Sequence, residues 1–260
     1  MRLSALLREI EEYCPASYAL SWDNSGLQCG SRDQEIETVM LALDATGDVI
    51  EEAAEEGADL LITHHPLLFR GIKSVSDDDH VGRRLLRMIR SGIACYAMHT
   101  NFDVIGMADE AADMLRLCDR EVLMPTCEGD HVVEGIGRVG NLLEHMSLRD
   151  CAEWVRDVFD IPHVRVYGDP DQPVITCAVL PGSGHDEIDL ALQKGADVMI
   201  TGDISHHDGL DAVEKGIAVI DATHYGIEKL FVPYMEKYMT GEFPELKILK
   251  AHEKEPFTLV

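Results

Sequence analysis

His64 and His65 close a short apolar run, residues 60–63, and Pro66 follows them directly. Proline biases the residue before it toward extended backbone, so the two imidazoles should point apart. That disposition suits two neighbouring metal ions better than chelation of one. A second run, 93–98, delivers His99 and, four residues later, Asp103. Downstream, 198–201 leads through Gly202-Asp203 to His206 and His207, and 217–220 leads to His224 and Glu228. Residues four apart at the start of a helix share one face, so His224 and Glu228 can act together. Each group has a plainer reading when taken alone: histidines bonded to backbone, a helix cap at Asp103, an ordinary polar pair. Six of the twelve histidines at the ends of strands is not a packing pattern, however. Imidazole and carboxylate without thiolate suit Zn²⁺, Fe, Mn²⁺, Co²⁺ or Ni²⁺ and argue against a closed structural zinc. Two such ions about 3.5–4 Å apart, bridged by a carboxylate, activate water and stabilise an oxyanion.

The elements that must carry these residues occur twice. Residues 39–63 align without gaps to 177–201, with eight identities in twenty-five positions. Each copy then reaches a related segment, Gly92-Ile93-Ala94 before His99 and Gly216-Ile217-Ala218 before His224. Strand-like and helix-like runs alternate, which favours an α/β class with mainly parallel sheets. Strands are expected at 39–43, 60–63, 93–98, 175–180, 198–201 and 217–220. Helices are expected at 48–56, 80–90, 108–117, 186–193 and 226–238. The chain therefore reads as two similar α/β halves, 1–124 and 125–260, related by a pseudo-twofold, with the metal site in the cleft between them. Between its paired glycines the first half has fourteen more residues than the second, in a Gly- and Asp-rich loop around 67–80.

The run Gly135-Ile136-Gly137-Arg138-Val139-Gly140 imitates a dinucleotide fingerprint. That fingerprint needs its glycines in a turn between strand and helix. Here 132–143 is rich in β-branched and small residues, and the next helix signal comes only at Ser147-Leu148-Arg149-Asp150, a capping sequence. The glycines are expected in strands. No phosphate-binding G-x-x-x-x-G-K-[ST] run is present.

Composition narrows the class further. A formal net charge of −26, with only eight Lys and fourteen Arg, argues against a nucleic-acid-binding face. No apolar run is long enough to span a membrane. Seven scattered cysteines without a C-x-x-C pair point to reduced thiols and a cytoplasmic setting. The acidity reads either as general solubility or, as favoured here, as adaptation to high salt.

Four segments together resemble the Nif-three-like dinuclear metal-centre family, whose members are commonly labelled GTP cyclohydrolase I type 2 homologues. They are 21–28 (Ser-Trp-Asp-Asn-Ser-Gly-Leu-Gln), 62–66 (Ile-Thr-His-His-Pro), 99–103 (His-Thr-Asn-Phe-Asp) and 223–228 (Thr-His-Tyr-Gly-Ile-Glu). They occur in the family's order and cover nearly the whole chain. The resemblance implies that His64, His65, Asp103, His224 and Glu228 bind two divalent transition ions per subunit and that the subunits form a ring-shaped homohexamer. It further implies a hydrolase in which a metal-bridging hydroxide attacks a purine nucleotide or related heterocycle, as in opening the imidazole ring of GTP with release of formate. His99 is the expected proton-transfer residue, with His206 or His207 as the alternative. An anionic triphosphate would need Arg70, Lys73 or high salt to offset the acidic surface. The competing readings are a non-catalytic metal carrier or regulatory scaffold, and a metal-dependent phosphoesterase that would release phosphate without formate.

Self-repulsion at this charge is relieved by screening. The thermal midpoint is therefore expected to rise by several degrees between about 0.1 M and 2 M KCl, the shift that a kcal/mol or more produces in a chain of this size. A midpoint independent of salt in a melting series would leave the acid content as a matter of solubility alone.

Overall fold

The computed structural model describes residues 1–128 and 133–260, which form two α/β units. Residues 1–102 and 231–254 make the first unit; 103–230 and 255–260 make the second. In chain order the strands are β1 (Gly26–Cys29), β2 (Thr38–Ala42), β3 (Leu60–Thr63), β4 (Ala94–Ala97), β5 (Cys118–Glu128), β6 (Val133–Ser147), β7 (Arg165–Tyr167), β8 (Pro173–Ser183), β9 (Val198–Gly202), β10 (Ala218–Asp221) and β11 (Lys247–Lys250).

The first unit's sheet has the order β1-β4-β3-β2-β11 and is parallel except for its edge strand β1. Both β3 and β4 are buried along their full length, which is why they read as unbroken apolar runs and not as alternating ones. The second sheet has the order β5-β6-β8-β9-β10-β7. Only β8, β9 and β10 are mutually parallel; β5, β6 and β7 join antiparallel, so this sheet is mixed.

The internal repeat is a repeat of backbone register. Val39 stands beside Leu60 and Leu60 beside Ala94 in one sheet; Cys177 stands beside Val198 and Val198 beside Ala218 in the other. Each triple keeps an antiparallel edge in the same place, β1 next to β4 and β7 next to β10. A matching aspartate locks each half. Oδ2 of Asp59 accepts from the amides of Glu37 and Thr38 at 2.8 and 2.9 Å, and Oδ2 of Asp197 accepts from those of Ile175 and Thr176 at the same distances. The helices feeding β4 and β10 stop on Gly92 (φ 71°) and Gly216 (φ 94°), left-handed caps that glycine adopts without a Cβ penalty.

Several expectations are shifted by pairing. The cut expected at 124/125 moves, because β5 pairs with β6 and carries 103–124 into the second unit, while β11 pairs with β2 and returns the C-terminal segment to the first. The helix expected at 108–117 begins earlier, with a turn over Thr100–Phe102 and a π-helical turn over Asp103–Met107 before Ala108–Met114. The helix expected at 226–238 is two helices, His224–Glu228 and Phe231–Glu242. Pro233 has no amide hydrogen for the carbonyl of Lys229, so the helix restarts with proline in its first turn, where it is tolerated.

The glycine-rich run lies within β6, as expected; Val132, the first residue of that expected run, lies outside the described residues. A Cβ at Gly135 would stand 2.0 Å from the carbonyl oxygen of Met124, so this glycine permits strand contact and not phosphate binding. Arg138 between the glycines is 5% exposed; it pairs with Asp109 and donates to the carbonyls of Gly135 and Gly137. Ser147 caps the following helix by accepting from the amide of Asp150. Among the described residues no helix is long and apolar enough to cross a membrane.

The two aspartate locks carry equivalent bonds, so Asp59→Ala and Asp197→Ala should each cost about 1–3 kcal/mol, the weight of amide hydrogen bonds to an ionised acceptor. Urea unfolding of both variants checks this. A loss in one and none in the other would show that the halves are not held alike.

Candidate metal centre

In the first unit the strand ends bring three imidazoles together. The ligand nitrogens available on His64, His65 and His99 all lie within 4.8 Å of one another. His64 is fully buried and His99 is 9% exposed, while His65 is partly open. Each ring is fixed from behind. Nδ1 of His64 faces the carbonyl oxygen of Met98 at 2.8 Å, Nδ1 of His65 faces Oδ1 of Asp44 at 3.0 Å, and Nδ1 of His99 faces Oδ1 of Asp23 at 2.7 Å. A carbonyl or carboxylate oxygen only accepts, so the facing Nδ1 carries the proton and Nε2 carries the lone pair. Metal-binding histidines are oriented in this way.

The support behind these rings is itself built in. Burial alone would raise the carboxyl of Asp23, but hydrogen bonds from His99, Thr100 and Ser25 outweigh it and hold the group well below the usual carboxylate range. Asp23 therefore stays ionised and keeps His99 in one tautomer. The carboxylate of Glu253 accepts from the amides of Leu43 and Asp44 at 2.6 and 3.0 Å, steadying the turn from which Asp44 reaches His65.

In the second unit, Nε2 of His224 lies 2.8 Å from Oε2 of the buried Glu228, one helical turn on. Nδ1 of His224 faces Oδ2 of Asp203 at 2.8 Å, the same arrangement as in the first unit. The backbone here is strained: Asp203 has φ 56° and Thr223, β-branched, has φ 61°. Non-glycine residues held there cost on the order of 1–3 kcal/mol and gather at functional sites. Thr223 is restrained by its amide donating to Asp221 (3.0 Å) and its hydroxyl accepting from the amide of Gly226 (2.9 Å). Two glycines make room. A Cβ at Gly182 would stand 2.5 Å from Oε1 of Glu228, and one at Gly202 would stand 2.6 Å from the amide nitrogen of His224.

Asp103 occupies the start of the π-helical turn that follows His99 by four residues. His206 and His207 are exposed on the first turn of the helix His206–Lys215, capped by Ser205 and Asp208, and join none of the metal-competent groups among the described residues. Asp44 and Gly182 were not singled out by the sequence reading. They occupy the same position of the repeat, six residues into the ungapped alignment, so extending attention past the strand end would have found both.

The donor set fits a first-row divalent ion: oriented imidazoles and carboxylates, with no thiolate among them. Gly182 and Gly195 share a left-handed backbone (φ 81° and 80°), but nothing lies within 4 Å of a Cβ at Gly195. Gly182→Ala and Gly195→Ala should thus lose comparable stability, about 1–2 kcal/mol. Only Gly182→Ala, which displaces Glu228, should lose bound metal. Equal metal retention in the two variants, measured by elemental analysis, would remove Glu228 from the centre.

Residues 1–256 match the protein family described as DUF34/NIF3 (NGG1p interacting factor 3). The GTP cyclohydrolase 1 type 2 homolog of Clostridium acetobutylicum is 35% identical over 252 residues, spanning 95% of this chain and 93% of that protein. Among solved structures, a Bacillus cereus protein related to NIF3 superposes with a TM-score of 0.91 at 25% identity, covering 100% of this chain and 99% of the other. Reduced HcgD from Methanocaldococcus jannaschii has a TM-score of 0.83 at 30% identity, covering 96% and 97%. The chain belongs to the DUF34/NIF3 family.

Proposed function

We propose that the protein is a metal-dependent hydrolase acting on a purine nucleotide or a related heterocycle. In this reading the residues that the family resemblance implies, His64, His65, Asp103, His224 and Glu228, would hold two divalent transition ions. The observation that carries it is the trio of imidazoles, His64, His65 and His99, whose Nδ1 protons are each held by an oxygen, so that Nε2 is the nitrogen that meets a metal or a proton. When bound, two such ions would supply Lewis acidity and activate water for attack. The chain's own part is orientation and proton movement. His99 takes the proton of the attacking water on Nε2 and returns it to the leaving nitrogen, while Asp23 holds Nδ1 and stabilises the imidazolium formed between the two steps. The relatives named for GTP cyclohydrolase 1 type 2 are homologues by name, and imidazole-ring opening is the reaction that name suggests. All seven cysteines are free thiols, which suits a cytoplasmic setting. The family resemblance also extends the proposal to a ring-shaped hexamer, which sedimentation tests.

Protein purified without chelator should carry about two first-row ions per chain, as a paired-metal site requires. Glu228→Gln should lose metal where Glu236→Gln, on a partly exposed carboxylate paired with Lys250, does not. His99→Ala should keep its metal and lose at least about 100-fold in turnover, the usual weight of a general acid–base group. Loss of metal in His99→Ala would make it a ligand or an orienting residue instead. Absence of formate or phosphate release from any nucleotide by the metal-loaded wild type would reassign the protein to metal binding without catalysis.

A further inference from the structure

The segment Trp22–Gln28 has a structural task for almost every polar side chain. Asp23 anchors His99 and accepts from the amide and hydroxyl of Thr100. The hydroxyl of Ser25 lies 2.9 Å from Oδ1 of Asn101. Asn24 and Gln28 act as a pair on the loop after His65: Nδ2 of Asn24 donates to the carbonyl of Leu68 at 2.6 Å, and Oε1 of Gln28 accepts from the amide of Leu68 at 3.2 Å. Both backbone groups of Leu68 are thereby engaged, much as a neighbouring strand would engage them, and the position of Phe69 is set.

Trp22 has no comparable task. It is 58% exposed, and Phe69 is 52% exposed. Their ring centroids are 5.9 Å apart, and each lies 5.9 Å from the imidazole of His99. The imidazole of His99 is inclined at 72° and 65° to the two rings, so neither ring is stacked parallel on it. Two large aromatic faces kept in water beside a metal-competent imidazole cluster, one of them by dedicated hydrogen bonds, are costly unless something covers them. The loop continues from Phe69 with Arg70 and, three residues later, Lys73, both exposed, in a chain with only 22 basic residues. An occupant with one flat aromatic part and one anionic part satisfies rings and cations together.

We propose that Trp22 and Phe69 form a stacking platform that receives the planar heterocycle of a nucleotide substrate and presents it to His99. The inference rests on the hydrolase reading and adds to it the residues that select a flat ring. Base–aromatic stacking requires only a π-face, so the platform recognises the ring as a class and leaves identity to other contacts.

The test uses the full-length protein with Trp154→Phe, which leaves Trp22 as its one indole. Guanosine, GTP and inorganic tripolyphosphate are titrated against Trp22 fluorescence, before and after metal loading. Guanosine and GTP should quench it, and tripolyphosphate should not. By calorimetry, Trp22→Ala and Phe69→Ala should bind guanosine and GTP about 5- to 150-fold more weakly, the span of a lost base–aromatic stack. Trp22→Phe, which keeps a ring, should lose less. Unchanged affinity in both alanine variants, or no binding of guanosine or GTP by the wild type in either metal state, overturns the platform. So does a change of oligomeric state in Trp22→Ala with nucleoside affinity intact, which would make the rings a contact between subunits. Because binding is read without turnover, the two proposals fail separately. Binding through Trp22 with no hydrolysis keeps the platform and removes the reaction. Hydrolysis at unchanged KM in Trp22→Ala does the reverse.

Discussion

Histidines that bind metals are usually oriented through an oxygen acceptor on the second ring nitrogen, and that arrangement recurs through this molecule. Four histidines adopt it through Nδ1, with oxygen acceptors drawn from a strand-end carbonyl, from Asp23, from Asp44 and from Asp203. Each acceptor needs its own support. Asp23 is held ionised by Thr100 and Ser25, the turn at Asp44 is fastened by Glu253, and Asp203 is fixed on a left-handed backbone. The strain stored around Asp203 and Thr223 is thus part of how His224 is aimed. The tight packing of Gly182 and Gly202 against Glu228 and His224 leaves that aim little freedom to drift.

The duplicated backbone carries an unduplicated set of side chains. In the alignment of the two halves, His64 falls on Gly202, His65 on Asp203 and Asp44 on Gly182. The strand end that supplies imidazoles in one half supplies, in the other, the acceptor for an imidazole and the space beside it. Beyond β4 and β10 the amides of Met98 and Ala222 bond to equivalent threonines, Thr63 and Thr201, so the register is still shared there. It carries Thr100, not His99, onto His224. Two copies of one scaffold have therefore been used differently: the first fixes a cluster of imidazoles, the second a histidine–carboxylate pair on a helix. Open α/β sheets favour this, since their ligands gather at the carboxyl ends of strands, where side chains can change without disturbing the ladder.

The acidity of the chain has a second aspect in this light. Asp59 and Asp197 hold strand entries, while Asp23, Asp44 and Asp203 hold rings. These carboxylates are structural acceptors for amides and imidazoles, distinct from the runs such as Asp77-Asp78-Asp79 that carry surface charge. Only the second kind answers to salt screening.

The sequence by itself determined the α/β class, the repeat with its strand register, the strand setting of the Gly135–Gly140 run, and which histidines lie at strand ends. All of these follow from short-range periodicity and from an ungapped match that preserves which residues stand side by side. It did not determine the unit boundaries, because β5 and β11 choose their sheets through partners far away in the chain. It ranked His99 first but kept His206 and His207 as alternatives, because all three follow apolar runs; in the fold His99 is anchored beside His64 and His65, while His206 and His207 are exposed at the head of a helix. Asp44 and Gly182 were hidden for a related reason. One matters for the oxygen it presents to His65 and the other for the Cβ it lacks beside Glu228, and both depend on a neighbour that only the folded chain brings near.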